Sequence, residues 1–548
     1  MSIHALKKGQ IDRPQKQLTD TFRIPAPLKG IDSRIATIEG GLGSCLYTYN
    51  LLPAETGMQV RGGYREYQIG LDLGASVGVH TIVPFNGPDP GSPDDKLFAV
   101  TNEGIWDVTT DGGTPILKAT FADQDPDAGY GTFSRYVNDA ERDVLFYADS
   151  KNGLFEYDAI LDTWAQSADI NGPVIEDVRW VVSHKQRLWL VEENATKAWY
   201  LGIGSTSGMA SEFFFGSKFR WGGNLAGLFN WSVDGGDGVD DYLVAVSRSG
   251  DVLPFRGDDP ALDSWQLVGT YYIGEVPPGP NFGSQDGGVL LLLSIYGVTS
   301  MNDLLNGVNT VLGVQGETNP TEKITGIIRE EIRKTVSENG WSIRTLPSQG
   351  AMLIQQPKTA AGVYLQYYYN KAMNAWGFVR GVPIESFENW QGKVMVGDAD
   401  SRMLYLDAKS DNVLLTPPED KENGEPIEFS VLTTFSKLGG DALFKHVTLI
   451  RPDFIGNARP TFNVAANYDY SLQELVQEPS NPTGSTGTWD VSTWDSIVWG
   501  TSSPEPLNKL SGSWDYGRYV AIAMSGKTRD ELRFIGWDII YTVGGPLL

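Results

Sequence analysis

Leu97-Phe-Ala-Val100, Thr101-Asn-Glu-Gly104, Ile105-Trp-Asp-Val108 reads as a short apolar strand, a polar turn and a second apolar strand, the pattern of a β-hairpin. The unit returns about every 45–60 residues along the chain. Val144–Ala148 and Leu154–Tyr157 flank the next turn, Asp149–Gly153. Leu188–Val191 with Ala198–Leu201 follows, then Tyr242–Val246 with Val252–Phe255. Val289–Ser294 is a more apolar version; Met352–Gln355 pairs with Val363–Tyr369, and Val394–Val396 with Met403–Leu406. A lone hairpin cannot bury its apolar faces. About seven of them, stacked side by side in a ring, can. The expected fold is all-β: a six- or seven-bladed β-propeller.

Composition fits. The 548 residues suffice for two or three domains. The 63 glycines and 30 prolines suit many turns and few long helices. Cys45 is the only cysteine, which excludes an internal disulfide and a cysteine-based metal site. Lys7, Lys8, Arg13 and Lys16 have no apolar stretch behind them, so no secretory signal is expected. The longest apolar run, Val289 to Leu293, is far short of the about 20 residues of a membrane span. No membrane insertion is expected. The net charge of −25 favours solubility and opposes wrapping by nucleic acid, which needs a basic footprint. It is compatible with DNA passing nearby, because a negative wall repels phosphate.

Three regions are expected. Residues 1–57 read as an arm and extended segment, rich in Pro25, Pro27, Gly30, Gly40, Gly41 and Gly43. Residues 58–415 hold the propeller, and a strand near Gly57–Tyr64 is placed to close the ring against the last blade. One helix is inserted at about 319–338: Asn319 caps it, Pro320 opens it, and Ile324, Ile327, Ile328, Ile332 and Val336 share a face. It packs on the propeller edge or touches a neighbouring subunit. The Pro/Gly-rich, charged stretch Pro417–Pro426 marks a boundary. In 416–548, strands at Ile427–Thr433, His446–Arg451, Thr461–Ala466, Tyr519–Met524 and Leu532–Tyr541 predict a β-sandwich. Between them Trp489, Trp494 and Trp499 alternate faces, so at least one should be buried or at an interface.

No segment selects a reaction. Ala521–Thr528, ending Ser-Gly-Lys-Thr, resembles a relaxed phosphate loop, but strands flank it where a helix is needed. It reads as a hairpin turn. Asp234–Asp241 carries several carboxylates that suit Ca²⁺, without EF-hand spacing; it also partly resembles an Asp-box with Val239 in the aromatic place. A solvated turn is the plainer reading. His4, His80, His184 and His446 are isolated, and no Gly-x-Ser-x-Gly elbow occurs. The expected site list is therefore empty: no catalytic, cofactor-binding or metal-binding residues, no cofactor, and no enzyme activity.

The order of several short segments resembles the tail nozzle (tail tubular) proteins of short-tailed bacteriophages. The matching pieces are Pro27-Leu-Lys-Gly-Ile31, Asn50-Leu-Leu-Pro53, Gly57-Met-Gln-Val-Arg-Gly-Gly-Tyr64, Tyr367-Tyr-Tyr-Asn370, Ala375-Trp-Gly-Phe378, Lys393–Gly397 and Leu404–Asp407. In the last region they are Phe435–Gly439, Thr448–Pro452, Asn467–Tyr470 and the Trp-Asp pairs at Trp489 and Trp494. The resemblance covers most of the chain in patches, and Gly202–Asp240 has no counterpart. It implies a homohexameric ring at the distal end of a virion tail, assembled in the bacterial cytoplasm. The ring would retain the genome and then pass it without specific binding. Its partners would be the adaptor or head–tail connector ring and the tail fibres or spikes, and no catalytic residues carry over. The rival is a propeller that binds or cleaves glycans, which needs a pocket with aromatic walls and convergent carboxylates.

Overall fold

A computed structural model describes residues 19–33, 42–87, 94–139, 141–234, 239–286, 288–307, 321–359, 362–417, 422–438, 443–456, 460–471 and 515–544. Seven small antiparallel sheets follow one another around a closed ring. Blade one is Val79–Phe85, Lys96–Thr101, Gly104–Asp107 and Ile116–Thr120. Blade two is Gly131–Val137, Asp143–Asp149, Gly153–Asp158 and Thr163–Gln166. Blade three is Val178–His184, Arg187–Glu192, Lys197–Tyr200 and Ser211–Phe214. Blade four is Leu225–Asp234, Val239–Ser247 and Asp251–Arg256, edged by Gln266–Leu267 and Tyr271–Tyr272. Blade five has Gly283–Asp286, Val289–Ser294 and Gly297–Ser300. Blade six is Ser342–Leu346, Ala351–Gln355, Leu365–Asn370 and Ala375–Arg380. Blade seven is Ser386–Trp390, Lys393–Gly397 and Met403–Ala408.

Blade seven takes its fourth strand from the start of the chain. Gly63–Gln68 pairs antiparallel with Met403–Ala408, Tyr64 opposite Leu406 and Glu66 opposite Leu404. The ring is therefore closed by hydrogen bonds between residues more than three hundred positions apart, and the third strand of the last blade is not left with an unpaired outer edge. The chain is an all-β propeller of seven blades.

Each expected hairpin is the second and third strand of a blade. These strands are apolar on both faces because both are covered by neighbouring blades. Phe98 of blade one meets Trp164 of blade two edge-on at 5.2 Å. Met395 and Met403 of blade seven share a cluster with Ile82 and Trp106 of blade one. Burying one such side chain contributes about 1.5–3 kcal/mol.

A repeated device turns the second strand into the third. A fully buried side-chain oxygen at or beside the end of the second strand accepts N–H groups of the turn. Thr101 takes Glu103 N at 3.2 Å, Ser247 takes Asp251 N at 3.0 Å and Ser294 takes Tyr296 N at 3.2 Å. Asp149 takes Lys151 N and Asn152 N at 3.0 and 2.9 Å; Asp398 takes Asp400 N and Arg402 N at 3.0 and 2.8 Å. Turn donors that would be orphaned inside the blade stack are thereby satisfied.

The second unit is a sandwich, and the early segment belongs to it. Cys45–Tyr49, Ile427–Thr433, Val520–Thr528 and Thr461–Tyr468 form one sheet in that order. In the other, Leu532–Gly544 lies between Phe444–Gly456 and Thr19–Pro25, with Gly57–Val60 also on it. Phe429, Met524, Phe534 and Trp537 are among the side chains buried between them. The separate arm expected at 1–57 is thus corrected from Thr19 onward, since Ile24 and Cys45 are core residues of the sandwich, and so is the expected propeller start at 58, since Met58 and Val60 belong to the sandwich core as well. Residues 1–18 and the Trp489–Trp499 repeat lie outside the described residues.

The insertion after blade five carries α1 (Met301–Leu305) and α2 (Thr325–Lys334). α2 is shorter than the expected 319–338. Its N-cap is Ile324, and Asn319 and Pro320 lie outside the described residues. Ile324, Ile328 and Ile332 are buried in the large core, whereas Val336 falls beyond the helix and is exposed. Among the described residues no helix is long and apolar enough to cross a membrane.

Candidate functional site

The first strands of blades one, six and seven border a small cavity lined by His80, Tyr130, Trp341, Arg344, Glu385 and Glu388, with a volume of about 10 Å³, room for about one water. Arg344 is fully engaged: Nε donates to Glu388 Oε2 at 3.1 Å, Nη2 to Asn281 Oδ1 at 3.0 Å and Nη1 to Ile343 O at 3.0 Å. His80 stacks on Tyr130, ring centroids 4.1 Å apart and 7° from parallel. Its Nδ1 lies 2.8 Å from Ala128 O, and a carbonyl only accepts, so Nδ1 carries the proton. Burial holds the imidazole below its usual pKa. Glu385, half-buried at the same cavity, has its carboxyl pushed up to about 7 by desolvation, against the opposing pull of the Tyr364 hydroxyl and Lys358.

A second concavity, of about 210 Å³, lies between the edge of blade four and α1, lined by Arg220, Trp221, Tyr271, Tyr272 and Leu304 among others. Trp221 is 67% exposed, and its ring centroid is 5.4 Å from that of Tyr272. No periodic pattern in the sequence marks it. The Arg-Trp-Gly-Gly run sits in the stretch that resembles nothing in the nozzle family.

A third cluster joins the two units. Arg61 donates Nη1 and Nη2 to the two carboxylate oxygens of Asp411, at 2.6 and 2.7 Å. Its Nε donates to Asn50 Oδ1 at 2.9 Å. Asn50, in the left-handed region with φ 59°, donates its amide to Arg380 O of blade six and to Glu428 O of the sandwich, at 2.9 and 2.8 Å. Blade six also runs directly into the sandwich: Ala375–Arg380 pairs with Cys45–Tyr49 at Phe378–Tyr49, making one eight-stranded sheet.

The sequence candidates fall elsewhere. Ser525-Gly-Lys-Thr528 is strand, not turn: Lys527 pairs opposite Glu428 and its Nζ reaches Glu428 Oε1 at 2.8 Å. Gly526 is required there because a Cβ would stand 2.5 Å from Phe429 Cζ. The Asp234–Asp241 segment joins the first two strands of blade four, and residues 235–238 lie outside the described residues. Asp241 is paired with Lys185 at 3.1 Å. Among the described residues no group of three or more His, Cys, Asp or Glu could hold a metal ion. The histidines remain apart: His184 Nδ1 bonds Asn230 Oδ1 at 2.8 Å, His446 Nδ1 bonds Asp515 O at 2.9 Å, and His4 lies outside the described residues. Cys45 is fully buried, which pushes its thiol up.

No protein-family model and no curated protein matches this chain. Among solved structures it is similar to the Pan2 WD40 domain of Neurospora crassa, with 8% identity over 68% of this chain and 99% of that one, TM-score 0.39. It is also similar to the extracellular domain of the putative hybrid two component system BT3049 from B. thetaiotaomicron, with 11% identity over 75% of this chain and 55% of that one, TM-score 0.40. Sqt1 of Saccharomyces cerevisiae matches at 10% identity over 64% of this chain and 99% of that one, TM-score 0.34. The seven-bladed architecture stands on the strand order of this chain.

Proposed function

We propose that this chain is a structural subunit of a phage tail, six copies of which form the nozzle through which the genome leaves. The observation that supports the reading is the continuous sheet from blade six into the sandwich, riveted by Asn50, Arg61 and Asp411. A subunit that holds back packaged DNA must not bend at its domain junction. Main-chain pairing across that junction, with a bidentate ion pair beside it, is a stiff connection.

In this reading the conduit runs between subunits, around the axis of the hexamer. Six copies carry a formal charge of −150, six times −25. Acidic residues facing that channel would keep phosphate from adhering. The adaptor ring above and the fibres or spikes beside it are the partners, and the subunit performs no catalysis.

Native mass measurement and negative-stain imaging of the purified protein test this. The expected result is a toroid near six times 60.0 kDa. A solitary 60.0 kDa globule, or a ring whose channel is lined mainly by Lys and Arg, overturns the reading.

A further inference from the structure

We infer that the groove between the edge of blade four and α1 is a subsite for one pyranose ring of a glycan. Its volume, about 210 Å³, is below the roughly 300–1,000 Å³ of a site for a drug-sized ligand. It takes one ring-sized unit and leaves the rest of a chain outside.

The chemistry of the lining suits a sugar. A pyranose presents an apolar C–H face, which packs on an aromatic ring, and a rim of hydroxyls. Trp221 and Tyr272 supply the aromatic wall, 5.4 Å apart and tilted by 40°. Arg220 supplies guanidinium donors, and the Thr270 and Tyr271 hydroxyls both donate and accept.

The wall is held in place before any ligand arrives. The main-chain N–H of Trp221 donates to Asp251 Oδ2 at 2.7 Å, and Asp251 is fully buried. The same residue pairs through its main chain with Tyr272, and Val252 pairs with Tyr271. One buried aspartate thus ties the main chain of both aromatic residues to the edge of blade four, which lowers the backbone ordering cost of binding. A tryptophan this exposed is costly to leave in water, and here it forms the side of a concavity rather than a projecting knob.

Competing occupants fit less well. Aromatic platforms for single-stranded nucleic acid sit within a positively charged groove, whereas this chain carries −25 and a buried carboxylate, Asp251, bonds the main chain of Trp221. A protein partner would be expected to receive Trp221 in a pocket of its own; that is the alternative outcome below.

The test is saturation-transfer NMR on the full chain with hexasaccharides of glucose, galactose, N-acetylglucosamine and galacturonate. Trp221→Ala, Tyr272→Ala and the distant surface variant Ile160→Ala are compared. At least one hexasaccharide should bind, at least tenfold more weakly to Trp221→Ala and Tyr272→Ala and unchanged to Ile160→Ala, with all melting temperatures preserved. Absence of binding by all four probes, or binding that survives Trp221→Ala, overturns the inference. So does a Trp221→Ala variant that loses oligomer mass but no sugar binding, since the platform then contacts protein. The readout does not depend on ring assembly: a monomer that binds sugar defeats the nozzle reading and leaves this one standing.

Discussion

Arg61 and Asp411 meet in two parallel hydrogen bonds across a separation of 350 residues, with side chains only 5% and 13% exposed. Each would be an uncompensated charge without the other. The guanidinium also ties Asn50 and the carbonyl of Arg380, so one side chain touches the early segment, blade six and the loop that follows blade seven.

Arg61→Met should therefore lower stability by about 3–5 kcal/mol, because it leaves a buried carboxylate unpaired. Arg61→Lys should rescue little, since an ammonium cannot make the fork. The double variant Arg61→Met, Asp411→Leu should recover much of the loss. Denaturant unfolding of the three variants checks this, and a double variant as unstable as the single one would contradict it.

The closing strand gives a second expectation. A chain lacking residues 1–68 loses the partner of Met403–Ala408 and three strands of the sandwich, Thr19–Pro25, Cys45–Tyr49 and Gly57–Val60. It should aggregate or be cut within blade seven by a low dose of protease, because an open apolar strand edge is a template for pairing. A chain lacking residues 1–18 alone should resist the same dose.

Asp149 tests the turn device. Its oxygens accept Gly129 N at 2.7 Å as well as Lys151 N, Asn152 N and Asn152 Nδ2. Asp149→Ala strands these donors inside the stack and should cost about 2–4 kcal/mol. Thr101→Ala, which removes a neutral acceptor of Glu103 N and Trp106 Nε1, should cost less. Thermal melting ranks the two.

Glu385 sets a pH dependence. Its carboxyl is raised from 4.5 to about 7 in the folded chain. Between those values the folded state keeps a proton that the unfolded state has released, so stability falls as pH rises through the window and is level above it. Glu385→Gln should remove that fall, gaining about 1–3 kcal/mol over the parent at pH 8 and little at pH 4.5. His80 acts in the opposite sense: its depressed imidazole costs stability as pH drops below 6.5. The difference between Glu385→Gln and parent cancels that contribution. Parallel stability–pH curves for the two proteins would contradict the expectation.

What was legible in the chain follows from burial. Leu97–Val100 and Val144–Ala148 are covered on both faces, so they stand out as apolar runs. Outer strands do not: in Thr163–Gln166 only Trp164 is buried, and Ser211–Phe214 is mostly exposed. Thr19–Pro25 was unreadable for another reason. Its partner, Leu532–Gly544, lies some five hundred residues away, and no local pattern encodes so distant a pairing. The helix was recognised by its isoleucine spacing, while its ends were not, because tertiary contacts of Ile324 rather than a capping side chain begin it. The Trp221 groove had no signal beyond an aromatic next to two glycines. A platform built from two segments fifty residues apart exists only once blade four has folded.

The pairing of Thr19–Pro25 with Leu532–Gly544 has a consequence for biosynthesis. Thr19–Pro25 has nowhere to lie until Leu532–Gly544, made some five hundred residues later, has left the ribosome, and Gly63–Gln68 likewise waits for Met403–Ala408. The nascent chain must carry these unmatched edges through the elongation that separates the partners, and neither unit can close before then.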